Sequence, residues 1–414
     1  MNAEILAVGT ELLLGQIVNT NAQFLASQLA LYGIDVHYQG VVGDNPKRIL
    51  EMLDIAAKRS DIILLTGGLG PTVDDLTRDM VAEHVGRQLA VDPALLQELQ
   101  SFFQSRGRVM PPNNKKQALR IEGADVLPNP RGTAPGQYVH TNQTHYFLLP
   151  GPPTEMRPMF LESVVPFLQR LQGEETIYSK VLRMVGIGES AMEEQVRDIL
   201  QAQTNPTIAP YASEGECSLR ITAKAASMEA AKSLIEPCEQ QLRERLGAYM
   251  YGMDDDTLAI AVGQLLMEKQ QQMAVAESCT GGLLGMMMTE APGSSRYFSG
   301  GCITYSNDLK RQLLSVSEDT LRIHGAVSPE CAREMASGLH ARTNADVCVS
   351  ITGIAGPEGG SAEKPIGLVY IGLFYNGITN VRQLQLRGDR NQIRIRSAKQ
   401  ALEFVWHTLR SAEK

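Results

Sequence analysis

"VAESCTGGLLG", residues 275–285, decides how the last third of the chain folds. An apolar approach ends at two adjacent potential nucleophiles, Ser278 and Cys279. Thr280, Gly281 and Gly282 follow, and then an apolar run of helical character. Such a run reads as a strand, a tight corner and a helix. If Thr280, Gly281 and Gly282 open that helix, their amides lack intrahelical partners and the dipole favours negative charge there. Glycine also lets an oxygen approach the backbone closely. The corner therefore suits a phosphate or an oxyanion, or it is a bare turn with no ligand.

Outward from that corner, residues 254–414 keep an α/β texture. A helix is expected over 257–270, then strands "MAVAES" and "GGCITYS", a helix near 328–342, the buried strand "ADVCVSITG" and the apolar run "IGLVYIGLFY". Residues 1–172 alternate in the same way. "AEILAVGT", "IDVHYQGVVGD" and "DIILLTGG" read as strands, and "NTNAQFLASQLALYG", "PKRILEMLDIAAKRS" and "DDLTRDMVAEHVG" as helices. Asn19 or Asn21 caps the first of these helices, and Gly33 closes it. The alternation predicts a parallel sheet covered by helices on both faces. Residues 173–253 differ: two alternating strands and two helices make a small α+β module. Three dissimilar domains are expected.

The 414 residues suit two or three domains, and 43% hydrophobic with 20% charged residues is a globular composition. A net charge of -8 argues against a general nucleic-acid binder, which needs a basic field. Glu4 interrupts the amino terminus, so no targeting segment is read there, and no apolar run approaches a membrane span. The six cysteines show no paired spacing, which suits reduced thiols in a cytoplasmic protein.

The chemistry concentrates in a few clusters. "GGCITYSNDLK" carries Tyr305, Ser306 and Asn307, with Lys310 on the first helical turn beyond. A lysine beside a serine serves as the general base of an amidase once burial keeps it neutral, and is otherwise an exposed helix lysine. Tyr305 either relays the proton or donates to the substrate. "SITGIAGPEGGSAEKPIG", glycine-rich after an apolar strand, suits a binding crevice. Arg387, Arg390 and Arg394 either clamp a phosphate or solvate the last helix. In the first domain, Thr66, Gly67, Gly68 and Gly70 of "TGGLGPTVDD" can wrap a phosphate. Asp74 and Asp75 beyond them either cap a helix or hold hydrated magnesium against a diphosphate. Glu11 and Asn19 lie in a polar interruption after the first strand, and Glu155 follows the proline–glycine loop "LLPGPPTEM".

"AESCTGG", "APGSSRYFSGG", "TYSNDLK", "HGAVS", "SITGIAGPEGG" with "KPIG", and "GDR" resemble, in order, the carboxy-terminal domain of the CinA family. "GDN" at 43–45, "TGGLGPTVDDLT" and "LPGPPTEM" resemble that family's version of the molybdopterin-binding fold. The resemblance implies an α/β protein: a molybdopterin-binding-like domain, a KH-like middle domain and an α/β amidase domain. It implies two activities: metal-free hydrolysis of nicotinamide mononucleotide to nicotinate mononucleotide and ammonia, and cleavage of ADP-ribose to AMP and ribose 5-phosphate. The second is implied to need a divalent metal such as magnesium, held near Asp44, Asp74 and Asp75, with help from potassium.

Carried onto this chain, Ser278 is the nucleophile, Lys310 the base and Tyr305 the helper, with Ser295 of "GSSRYF" the second candidate for the serine. Thr352, Gly353 and Arg390 would hold the pyridine or the phosphate, and the amides near Gly281 and Gly282 the oxyanion. Neighbouring side chains on a strand face opposite ways, so Ser278 is assigned to the pocket and Cys279 to packing. A Cys279 nucleophile would need a cationic neighbour such as His324. Leu69 and Pro71-Thr72-Val73 depart from the molybdopterin enzymes' loop. "VGIGES" lacks the G-x-x-G spacing of an RNA-binding KH module and reads as a spacer and dimer arm. A homodimer acting on small nucleotides is implied, without membrane or direct nucleic-acid contact. The alternatives are a scaffold protein of transformation or DNA repair, and a molybdopterin-binding protein.

Overall fold

The computed structural model describes residues 1–141, 144–171, 176–213 and 215–411. The expected domain boundary at 172–173 lies outside them. The chain divides into two compact units, Met1–Tyr178 with Ala223–Lys232, and Ser179–Thr222 with Ser233–Lys414.

The first unit is built on a six-stranded sheet. Asp35–Val42, Asn2–Val8, Ile62–Thr66 and Thr144–Leu149 run parallel, in that spatial order. Gly136–Thr141 and Asp125–Leu127 then extend the sheet antiparallel. The sheet is therefore mixed, where the alternation predicts an all-parallel one. Only two residues separate Thr141 from Thr144, and a parallel pair needs a crossover of a dozen or more. Strand residues point alternately to two apolar layers: Leu6 and Val8 to one, Ala3 and Ile5 to the other. Helix Thr20–Leu31 is capped by the Asn19 side chain, which accepts from the Ala22 amide at 3.1 Å. Helix Pro46–Ala56 starts on Asn45, with Pro46 in its first turn, where no amide donor is missed.

Thr207–Ser213, Glu216–Ala225, Thr176–Val185 and Met250–Met253, most of whose residues belong to the second unit, form a four-stranded sheet in that order, with helices Glu189–Gln195, Arg197–Ala202 and Met228–Leu246. The second unit also holds a five-stranded sheet, ordered Phe298–Ile303, Met273–Glu277, Val347–Gly353, Leu368–Tyr375 and Ile378–Gln385. Its first three strands are parallel and the last two antiparallel. The final hairpin turns on Asn376 and Gly377, both at positive φ (50° and 77°), the combination a two-residue type I′ turn requires. On one face, Met273 and Val275 pack with Val405, Trp406 and Leu409 of helix Arg390–Ser411. On the other, Ala274 and Ala276 pack with Cys331, Met335 and Leu339 of helix Pro329–Thr343. Helices thus cover both faces. No helix among the described residues is long and apolar enough to cross a membrane, and all six cysteines are unpaired thiols.

Candidate active sites

The carboxy-terminal site forms where strand Met273–Glu277 ends. The alternation that sends Val275 to one apolar layer and Ala276 to the other places Glu277 and Ser278 on opposite sides of the sheet. Ser278 meets helix Asn307–Leu314, which Ser306 caps by accepting from the Leu309 amide at 3.2 Å. On its first turn Lys310 turns inward and is 1% exposed. Its Nζ lies 3.1 Å from Ser278 Oγ, 2.7 Å from the Thr304 carbonyl and 3.5 Å from the Tyr305 carbonyl. Burial pushes the Lys310 ammonium below the ordinary lysine range. A neutral amine has two N–H donors and one lone pair. In that neutral form the two carbonyls would take the donors and leave the lone pair for the Ser278 hydroxyl, whereas the ammonium form donates to Ser278 Oγ.

The neighbouring residues sort plainly. Cys279 is buried in the apolar layer, and burial pushes its thiol up to about 11. A thiol so placed stays protonated near neutrality and is inert. His324 faces Glu330 at 3.7 Å, not Cys279. Ser295 sits exposed on the short turn Ser294–Arg296 and is not among the partners of Lys310. Tyr305 contributes its carbonyl, and its hydroxyl accepts from the Arg390 guanidinium at 3.1 Å. Arg390 also donates to the Gly356 carbonyl at 2.7 Å. Thr352 is buried and spends its hydroxyl on the Ala326 carbonyl at 2.7 Å, tying down the "HGAVS" loop. A Cβ on Gly353 would lie 2.7 Å from Val369 Cγ2 and 2.8 Å from the Leu368 carbonyl, so that glycine serves strand packing.

The glycine corner corrects one expectation. Gly281 N–H donates to the Ser278 carbonyl at 3.1 Å and Gly282 N–H to Glu277 Oε2 at 3.0 Å. Both amides are occupied and offer nothing to an oxyanion. The residue that the sequence reading passed over is Glu277, a carboxylate in an otherwise apolar strand; its signal was its polarity. Thr280 is fully buried, its hydroxyl has no partner among the described residues, and its carbonyl accepts from Arg394 at 2.8 Å.

The amino-terminal site is a cavity of about 650 Å³ at the carboxyl ends of the parallel strands. It brings together Glu11, Asn19, Thr66, Gly67, Gly68, Gly70, Asp44, Asp74 and Asp75, with Asn21 and Glu155. Asn21 donates to Thr66 Oγ1 at 2.9 Å and to the Gly151 carbonyl at 2.7 Å, and Thr66 in turn to the Pro150 carbonyl at 3.0 Å. This chain joins the glycine corner to the proline–glycine loop. The aspartates do not cap a helix: the next helix starts at Thr77. Asp75 Oδ2 instead accepts from the Thr72 amide at 2.8 Å and its hydroxyl at 2.6 Å. Asp44 Oδ2 holds Thr10 likewise, at 2.9 and 2.8 Å. No three His, Cys, Asp or Glu side chains among the described residues converge as a group able to hold a metal. The wall nonetheless carries Glu11, Asp44, Asp74, Asp75 and Glu155 and neither lysine nor arginine. Only oxygen donors are on offer, which suits a hard cation that takes one or two carboxylates and completes its shell with phosphate and water.

Three family models match the chain in tandem: a probable molybdopterin binding domain over residues 4–170, the damage-inducible protein CinA KH domain over 179–252, and the CinA C-terminal domain over 255–409. The chain is 50% identical over 405 residues to a CinA-like protein of Dictyoglomus turgidum, covering 98% of each. It is 49% identical over 412 residues to a putative competence-damage inducible protein of Moorella thermoacetica, covering 99% of each. Among solved structures, it is similar to the competence/damage inducible protein CihA from Agrobacterium tumefaciens, at 41% identity over 36% of this chain and 91% of that one, with a TM-score of 0.35.

Proposed function

The chain belongs to the CinA family, and we propose that it is a bifunctional hydrolase of pyridine and adenine nucleotides. The observation that carries the first activity is the buried Lys310 amine 3.1 Å from the Ser278 hydroxyl. Ser278 Oγ attacks the carboxamide carbon of nicotinamide mononucleotide while its proton passes to Lys310 Nζ and the carbonyl electrons move onto oxygen. The tetrahedral intermediate collapses, the C–N bond breaks, and Lys310 returns the proton to the departing nitrogen, releasing ammonia. Water then adds to the acyl ester, giving its proton to Lys310. Ser278 Oγ leaves with that proton, and nicotinate mononucleotide is free. Arg390, exposed at the rim beside Tyr305, is the cation for the substrate phosphate.

In the amino-terminal cavity the proposed reaction is hydrolysis of ADP-ribose to AMP and ribose 5-phosphate. Five carboxylates around a diphosphate call for added positive charge. A divalent cation drawn to Asp44, Asp74 or Asp75 would supply it when bound, neutralising the phosphate oxygens. The chain's own part is to wrap the phosphate with the Gly67–Gly70 backbone and to fix that backbone through Thr66, Asn21 and Asp75. The match to a molybdopterin binding domain supports a second reading, a pterin in this cavity; titration with ADP-ribose and with a pterin separates the two.

The test supplies nicotinamide mononucleotide and ADP-ribose separately, with and without chelator. Ammonia release is expected to survive the chelator and AMP formation to stop. No ammonia from the first substrate would remove the amidase reading.

A further inference from the structure

Glu277 is 1% exposed, yet it has no ion pair among the described residues. Its carboxylate accepts three backbone donors: Gly282 N–H at 3.0 Å and Leu284 N–H at 3.1 Å on Oε2, and Gly285 N–H at 2.8 Å on Oε1. These are the donors that the start of helix Leu283–Thr289 leaves without intrahelical partners. The residue just before the nucleophile thus fills the helix end from inside the protein, on the side of the sheet away from Lys310. Upstream of this clamp lie Cys279 and Thr280. The Thr280 amide has no hydrogen-bond partner among the described residues and the Cys279 amide meets only its own side chain, while those of Ser278 and Gly281 are bonded to Ile351 and Ser278 carbonyls.

We infer that Glu277 is a positioning residue: an internal anion that closes the helix end to substrate and holds the turn so that the Cys279 and Thr280 amides face the developing oxyanion. The amide that follows a nucleophilic serine is well placed for that task, because the acyl oxygen lies beside it. Glu277 touches no reacting atom and acts only through the backbone of the corner. Its carboxylate does what a short cap cannot, taking three donors at once and opposing the helix dipole. The inference rests on the Ser278–Lys310 reading.

The decisive variant is Glu277→Gln in the full chain. Glutamine offers one acceptor oxygen and puts an NH2 where the second oxygen stood, so at least one of the three amides faces a donor. The expected result is a fall of roughly 10²-fold in kcat for ammonia release, since a small misplacement of donors weighs on the transition state. KM for nicotinamide mononucleotide should stay within about twofold. AMP formation from ADP-ribose by the same preparation should be unchanged, and a circular dichroism spectrum and melting profile matching the parent's show that the unit carrying Glu277 is folded. A kcat within about twofold of the parent, or a loss confined to KM, would overturn the inference. If Glu277→Gln does not fold, Glu277→Asp decides by the same criteria, with the charge kept but shortened. A parent protein that releases no ammonia at all breaks the Ser278–Lys310 reading instead and is told apart by that control.

Discussion

The chain uses nearly the same words twice, "LLTGGLG" at 64–70 and "SCTGGLLG" at 278–285, and builds opposite electrostatics from them. Both glycine pairs sit at positive φ: 102° and 66° for Gly67 and Gly68, 63° and 94° for Gly281 and Gly282. In the first, the strand runs right up to Thr66, so the glycines crown the sheet and line a cavity. In the second, the strand stops at Glu277, and Ser278, Cys279 and Thr280 make the turn. The glycines are pushed to the start of the helix, where the strand's own last carboxylate consumes the amides. A Thr-Gly-Gly corner is thus a geometric device. What precedes it decides whether it opens onto a cavity or packs its amides against a buried carboxylate.

The strongest way to break this contrast is to remove a side chain beside one corner and assay both. Ser278→Ala should lower ammonia release by about 10⁴-fold, the scale on which nucleophiles act, and leave AMP formation untouched. Ammonia release retained by that variant but lost in Cys279→Ala would reverse the assignment.

The two glycine corners also differ in crowding. A Cβ on Gly67 would lie 2.2 Å from the Val8 carbonyl oxygen, whereas on Gly281 the nearest atom is an Arg394 nitrogen at 3.7 Å. Gly67→Ala should therefore cost on the order of 3 kcal/mol or prevent folding. Gly281→Ala, paying chiefly for its backbone angle, should cost about 1 kcal/mol. Equal losses by denaturant unfolding would mean that the first corner is no tighter than the second.

A subtler difference lies in proton linkage. Burial lowers the Lys310 pKa from an ordinary value near 10.5. Between the lowered value and the ordinary one, the unfolded chain holds a proton that the folded chain lacks, so stability from this group rises with pH across that window. Below the window the cost of burying the ammonium is fully present. The melting temperature of Lys310→Met minus that of the parent should fall as pH is raised towards 10. A difference that is flat with pH would mean the amine titrates normally. Ammonia release by the parent should gain along an acid limb set by the same group. The smallest effect belongs to Cys279→Ala: with the thiol held up to about 11, the rate should change by no more than about threefold.

Much of this was legible in the residues. Apolar runs bounded by glycine gave Ile62–Thr66, Met273–Glu277 and Val347–Gly353, because a strand buried on both faces has no polar alternation to blur it. The antiparallel edges were harder. Ile378–Gln385 alternates polar and half-buried residues, and its signal was the Asn376-Gly377 turn rather than its own composition. Resemblance pointed to Ser278 and Lys310. Their distance, and the burial that disarms the ammonium, come from helix and strand meeting across 32 residues of chain. The turning of the Tyr305 hydroxyl to Arg390, and of the glycine amides to Glu277, depends on side-chain directions that spacing does not encode.

The last helix carries one more consequence. Arg394 bonds the Thr280 carbonyl and Arg390 the Gly356 carbonyl, both from helix Arg390–Ser411. During synthesis the turn from Ser278 to Thr280 therefore waits for residues more than a hundred positions downstream to leave the ribosome. A nascent chain arrested before them would carry an assembled cavity at its amino-terminal end and a slack turn around Ser278.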